Sequence, residues 1–142
     1  GQSNYGAAKA GIAGFSRVGA LEMAEYECTV NTVSPGAATR LTIPLMEGRG
    51  EAVAEEDWTR GPEQIAPVVT WLASEAGSAW NGQIVNVMRG TIGIMQQPAI
   101  IRSFVSDHLW TRSDLDRVMP AMLDAKRAHD LRAKREGEPE AI

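Results

Sequence analysis

The chain has 142 residues, an apolar fraction of 44% and a formal charge of −4. That is the size and composition of one ordinary globular domain, and it argues against extensive disorder. With no basic excess, no apolar run of bilayer length, one cysteine and two histidines (His108 and His129), it gives no support to a nucleic-acid binder, a membrane span, a disulfide framework or a metal cluster.

The first predicted element is a long helix from about Ser3 to Glu25, rich in Ala, Leu, Met, Lys and Glu. Ala8, Ile12, Phe15, Gly19 and Met23 form one stripe, and Ala7, Ala10, Ala13 and Leu21 widen it. A helix this apolar around its circumference is expected to be buried on more than one side. Helical sequence starts almost at once and the first residue is Gly. The chain therefore reads as the C-terminal part of a longer protein.

Cys28 to Ser34 (CTVNTVS) reads as a short strand ended by Ser34-Pro35-Gly36. Ala37 to Gly61 reads as a polar loop. Its Leu41, Ile43, Leu45 and Met46 can pack against the helix that follows, and its acids Glu51, Glu55, Glu56 and Asp57 fit a solvated face. A second helix runs through GPEQIAPVVTWLASEAG, with Pro62 in its first turn and Gly77 as its stop. Asn81 to Met88 (NGQIVNVM) is a turn and a second strand. Beyond Gln96 a terminal helix is expected. Leu115, Val118, Met119, Met122 and Leu123 share its face, Ser113 with Asp116 forms a capping box, and Pro120 splits or kinks it; its last residues fray. The charged stretch AKRAHDLRAKRE fits a solvated helix face. His108, His129 and Cys28 are expected in surface or structural roles.

This order predicts an α/β fold with parallel strands. Two strands cannot form such a sheet alone, because a parallel sheet needs both faces covered, so upstream strands are expected.

Tyr5 and Lys9 are four residues apart and share a helix face. An ammonium about 4 Å from a phenolate, in a partly shielded site, stabilises it by roughly 4 kcal/mol. That is on the order of three pKa units, which would bring a phenol close to neutral pH, where acid/base catalysis works best. Such a pair also occurs by chance in many helices.

YGAAKAGIAGFSRVGALEMA, then VNTVSPG, then NGQIVNV together resemble the short-chain dehydrogenase/reductase family, over roughly Gly1 to Gly90. PGAATRLT with PEQIAPVVTWLASEAG is similar to the (3R)-hydroxyacyl-CoA dehydrogenase part of multifunctional enzyme type 2 and its actinobacterial relatives. The resemblance implies residues 1–95 as the C-terminal part of a Rossmann-like, doubly wound parallel sheet, and 96–142 as a helical extension. It implies Tyr5 as catalytic acid/base, with Lys9 lowering its pKa and holding the cofactor ribose. Pro35 and Gly36 would admit the nicotinamide of NAD or NADP. Ala38 would offer main-chain groups and Thr39 a hydroxyl. By the resemblance the loop from Leu41 to Trp58 would be the substrate lid, with Leu41, Ile43, Leu45 and Met46 as its apolar wall, a reading on equal terms with simple packing. The substrate would be a secondary alcohol or ketone, with a 3-hydroxyacyl thioester and a hydroxysteroid both fitting an apolar lid.

The first helix would join a homodimer or homotetramer interface. No nucleic-acid or membrane partner is expected, and the compartment is expected to be the cytoplasm. The Gly-rich phosphate turn and the family's catalytic serine would lie upstream of Gly1, so these 142 residues alone would be inactive. A non-catalytic relative serving as a binding or assembly module is the alternative. The VMRG after the last strand departs from the family's common Asp-Gly-Gly.

Overall fold

A computed structural model describes residues 1–50 and 57–136 of the chain. Glu51, Glu55 and Glu56, and the end expected to fray, lie outside the described residues. The chain forms two compact units, Gly1–Gln96 and Gln97–Ile142.

In the first unit, α1 spans Ser3–Glu22 and is followed by a 3₁₀ turn, Met23–Tyr26. The helix stops where Glu27 adopts a left-handed conformation, φ 55°. There the Cys28 amide donates to the Met23 carbonyl at 3.2 Å and the Glu27 amide to Ala24 at 3.1 Å. These bonds satisfy carbonyls that the helix end leaves unpaired. Burial falls on Ala20 alone in α1, while Phe15 and Leu21 are 78% and 80% exposed. The expectation of a helix covered on several sides is therefore not met. Among the described residues, its apolar circumference is covered near its C-terminal end, where it meets the sheet.

The sheet has three strands in the order β1-β2-β3: β1 Thr32–Gly36, β2 Ile84–Met88 and β3 Thr91–Ile94. β1 and β2 are parallel, with Thr32 opposite Ile84 and Gly36 opposite Met88. β3 returns antiparallel beside β2, with Met88 opposite Thr91 and Val85 opposite Ile94. The parallel pair is as expected for the α/β fold; the bounds of the first strand and the number of strands differ. The first strand lies four residues further on at its start than predicted, and Pro35 and Gly36 belong to it instead of ending it. Proline lacks an amide donor but is tolerated on an edge strand, which β1 is here. The sheet is also mixed, because Arg89 and Gly90 both take positive φ, 53° and 73°. Consecutive positive φ values build the two-residue hairpin turn whose twist matches its strands.

The core centres on β2. Val85 and Val87 are almost wholly buried, and Ile84 is buried with them. Burying each such side chain contributes about 1.5–3 kcal/mol. The predicted second helix is shorter than expected. Pro62–Gln64 and Glu75–Gly77 are 3₁₀ turns flanking α3, Ala66–Leu72. Gly77 is required: a Cβ there would lie 2.6 Å from the Trp71 carbonyl oxygen and 2.9 Å from Leu72 Cα. Trp71 meets Trp80 edge to face, ring centroids 5.6 Å apart.

Two asparagines fasten the N-terminal end of the sheet. Asn81 accepts from the Val30 amide at 2.9 Å and donates to the Ala20 carbonyl at 2.9 Å. Asn31 donates to the Trp80 carbonyl at 2.7 Å and accepts from the Gln83 amide at 3.0 Å. Both do the work of a backbone ladder where the chain is too irregular to form one.

In the second unit, α4 spans Arg112–Glu136 without interruption at Pro120. Its capping box is Thr111 with Asp114, not Ser113 with Asp116. The Asp114 amide donates to the Thr111 hydroxyl at 3.2 Å, and the Thr111 amide to the Asp114 carboxylate at 3.0 Å. The box sits two residues earlier because the helix itself starts at Arg112.

Candidate active site

Tyr5 and Lys9 occupy the first turns of α1. Tyr5 is 60% exposed, and the Lys9 ammonium stands 5.4 Å from its ring centroid. The ammonium thus packs over the ring face, a cation–π contact, whereas the charge argument placed it beside the phenol oxygen. Among the described residues, the Tyr5 hydroxyl and the Lys9 ammonium make no hydrogen bond or ion pair with another side chain.

The carboxyl ends of β1 and β2 form the second part. In open α/β sheets, ligands bind in the crevice beyond this edge. Here Gly36 to Ala38, Thr42, Leu45, Met46, Arg49, Arg60, Met88 and Arg89 line a cavity of about 160 Å³. Gly36 has a structural duty as well. A Cβ at that position would lie 2.6 Å from Met88 Cγ and 2.7 Å from its sulfur.

The following loop is ordered by short bonds. Thr39 donates its amide to the Thr42 hydroxyl at 2.7 Å, and its own hydroxyl lies 3.1 Å from the same oxygen. Thr42 donates in turn to the Ala37 carbonyl at 2.9 Å. These bonds start α2, Ile43–Glu47, within what reads in sequence as loop. Of the apolar lid residues, Leu45 and Met46 line the cavity, while Leu41 is 91% exposed. The Ala38 amide already donates to the Arg60 carbonyl at 2.6 Å. Its carbonyl, rather than its N–H, is the main-chain group left for a ligand.

Several bracing residues are not apparent from sequence motifs. Gln64 donates to the Gly61 carbonyl at 3.2 Å and accepts from the Gly90 amide at 2.9 Å, tying the β2–β3 turn to the segment that supports Ala38. Asp57 accepts from the Thr59 hydroxyl at 2.5 Å and pairs with Arg60 at 3.4 Å. Pro35 stays in the β1 ladder opposite Val87.

Asn81 fixes Ala20, near the C-terminal end of α1, beside the entry to β1 at Val30. Tyr5 and Lys9 are not among the residues that line the cavity at Gly36. A dinucleotide fits the groups present: an unpartnered phenol and ammonium on one helix face, and a glycine-bearing strand end with a free carbonyl beyond it. His108 and His129 lie in the second unit, away from these groups in sequence, and Cys28 is exposed. Among the described residues, no group of three His, Cys, Asp or Glu could hold a metal ion, and no helix is long and apolar enough to cross a membrane.

A family profile described as enoyl-(acyl carrier protein) reductase matches residues 1–91. Hydroxyacyl-CoA dehydrogenase ChsB1 of Mycobacterium tuberculosis is 30% identical over 107 residues, covering 75% of this chain and 34% of its own length. Peroxisomal multifunctional enzyme type 2 of Mus musculus is 38% identical over 95 residues, covering 66% of this chain and 12% of its own length. A crystal structure of a short chain dehydrogenase from Mycobacterium avium superposes with a TM-score of 0.70 at 35% identity, covering 88% of this chain and 40% of that one. The chain thus spans about a third of the bacterial relative it matches and a smaller share of the multifunctional enzyme.

Proposed function

The chain belongs to the short-chain dehydrogenase/reductase family, and from that membership we propose that it carries the proton-handling and nicotinamide-facing part of an NAD(P)-dependent oxidoreductase. The observation that carries this reading is the Tyr5–Lys9 pair at the head of α1, both polar ends unpartnered, in a chain that matches the family from residue 1 to 91.

Bound NAD or NADP would supply the hydride acceptor or donor, chemistry that belongs to the cofactor. Everything else falls to the chain. In oxidation, Tyr5 accepts the substrate's hydroxyl proton at its phenolate oxygen; in reduction, it returns a proton to the carbonyl oxygen. Lys9 holds positive charge next to that oxygen and faces the cofactor ribose. For this the lysine must swing from the ring face toward the hydroxyl, a change its flexible four-carbon stem permits. Gly36 and Ala38 would line the nicotinamide end, with Pro35 fixing the strand direction that precedes them; Thr39, held to Thr42 at the start of the loop, would have to release its hydroxyl to reach the cofactor.

A secondary alcohol or ketone on an acyl thioester suits the cavity. Leu45, Met46 and Met88 give it an apolar wall, and Arg49 adds a cation able to face a phosphate-bearing carrier. The relative named for hydroxyacyl-CoA supports this choice over a hydroxysteroid. The exposed apolar surface of α1 fits a subunit interface in a homodimer or homotetramer. Residues 96–142 form an appended helical region in this reading.

The test is NAD(P)H formation by the full-length protein, with a 3-hydroxyacyl-CoA as substrate. Tyr5→Phe is expected to lower kcat by about 10²–10⁴. Turnover within a few-fold of the unaltered protein would remove Tyr5 from the acid/base role and favour a non-catalytic module.

A further inference from the structure

The apolar face of α4 is open. Leu115, Met119 and Leu123 are 40%, 54% and 51% exposed, and they floor a groove of about 840 Å³ together with Met122 and Pro120. At seven-residue spacing, two helical turns, the face resolves into columns. One reads Arg112, Met119, Lys126 and the next Asp116, Leu123, Asp130, with Leu115 and Met122 alongside. The first column is cationic at both ends around an apolar centre. The second is anionic at both ends around an apolar centre. Within the helix the columns pair locally, Arg112 with Asp116 at 2.9 Å and Lys126 with Asp130 at 2.7 Å.

This pattern is self-complementary under two-fold symmetry when the two helices run antiparallel. Two copies laid antiparallel about a two-fold axis level with Ala121 bring Arg112 level with the partner's Asp130. Asp116 then faces the partner's Lys126, and Met119 the partner's Leu123. The symmetry forms each pair twice, as an isologous interface requires. A parallel arrangement in register would set Arg112 against the partner's Arg112 and Lys126 against the partner's Lys126. We propose that α4 is a self-association helix, and that the occupant of its groove is the α4 of a second copy of this chain, running antiparallel. This surface is separate from the α1 face and does not depend on the catalytic reading.

Sedimentation equilibrium of the 142-residue chain tests it with two charge exchanges. The half exchange, Arg112→Asp with Asp116→Lys, keeps both pairs within the helix but sets acid against acid and base against base across the antiparallel interface. It is expected to halve the associated mass and weaken association about tenfold or more. The full exchange adds Lys126→Asp and Asp130→Lys, restores every pairing with reversed sign, and is expected to restore the mass. Circular dichroism should show the same helix content in all three proteins, because each keeps its local pairs. The proposal is overturned if the unaltered chain is monomeric at about 100 μM, well above the range of a specific contact. It is equally overturned if the half exchange associates as tightly as the unaltered chain, or if the full exchange stays dissociated with its helix content intact.

Discussion

The two units of this chain are held together by opposite means. In Gly1–Gln96 the decisive contacts join residues far apart in sequence: Thr32 pairs with Ile84, Asn81 with Val30 and Ala20, and Asn31 with Trp80 and Gln83. In Gln97–Ile142 the contacts that start and line α4 are local: Thr111 with Asp114, His108 with Asp107 and Asp114, Arg112 with Asp116, and Lys126 with Asp130. A unit built on distant pairs gains from each contact only after a long loop has closed. It therefore concentrates its stability in a few residues. A unit built on neighbours spreads its stability thinly, so no single change should unmake it.

The largest expected effect is at Asn81. Asn81→Ala leaves the Val30 amide and the Ala20 carbonyl without their partner, at about 1–3 kcal/mol for each unsatisfied group. Urea unfolding of the first unit should show a loss of about 2–4 kcal/mol, twice one such group at the lower half of that range. A loss below about 0.5 kcal/mol, the level of an ordinary surface change, would show that water replaces both bonds and that the contrast between units is weaker than drawn.

The next effect has the opposite sign. The Thr32 hydroxyl is buried and unpaired in β1. Thr32→Val keeps the shape and removes that group, so the same experiment should show a gain of about 1 kcal/mol. No gain would mean that the hydroxyl is satisfied in solution.

In the second unit, Thr111→Ala should cost about 1 kcal/mol of α4 stability, the ordinary value of a helix cap. Amide exchange should show the change confined to the first turns of α4. If it spread through the first unit, stability in Gln97–Ile142 would not be local.

The smallest effect depends on pH. Hydrogen bonds to Asp107 and then Asp114 raise the His108 pKa above its ordinary 6.5. Bonds from Thr111, then the one to His108, lower that of Asp114 below 3.8. A raised histidine stabilises the folded form fully below 6.5, and that contribution fades as pH rises through the folded-state value. A lowered aspartate stabilises above 3.8, and its contribution fades as pH falls through the folded-state value. The start of α4 should therefore be firmest between about pH 4.5 and 6.5, inside those two limits. Exchange of the Asp114 amide, followed from pH 5 to about pH 8 and corrected for intrinsic rates, should lose protection at the upper end. His108→Gln should flatten that loss.

Legibility in the sequence followed the same division. The α/β class, α1, β2 and the terminal helix can all be read from local pattern. So can the Tyr5–Lys9 pair, since four residues on a helix fix a shared face. The start of β1 could not be placed, because its register is set by Ile84, some fifty positions away. β3 was missed because its turn, Arg89-Gly90, has a non-glycine residue at positive φ where Asn or Asp would have announced it. The bracing by Gln64 and the Thr39–Thr42 bonds carry no spacing signal. The cavity behind Gly36 therefore emerges only when β1 and β2 are brought side by side.

The central claim is that Tyr5 handles the proton in a nicotinamide-dependent reaction. Its most direct measurement is the kcat of Tyr5→Phe in the full-length protein, with cofactor and a 3-hydroxyacyl-CoA saturating. The account predicts a fall of about 10²–10⁴ with substrate binding preserved. A kcat within a few-fold of the unaltered protein would contradict it.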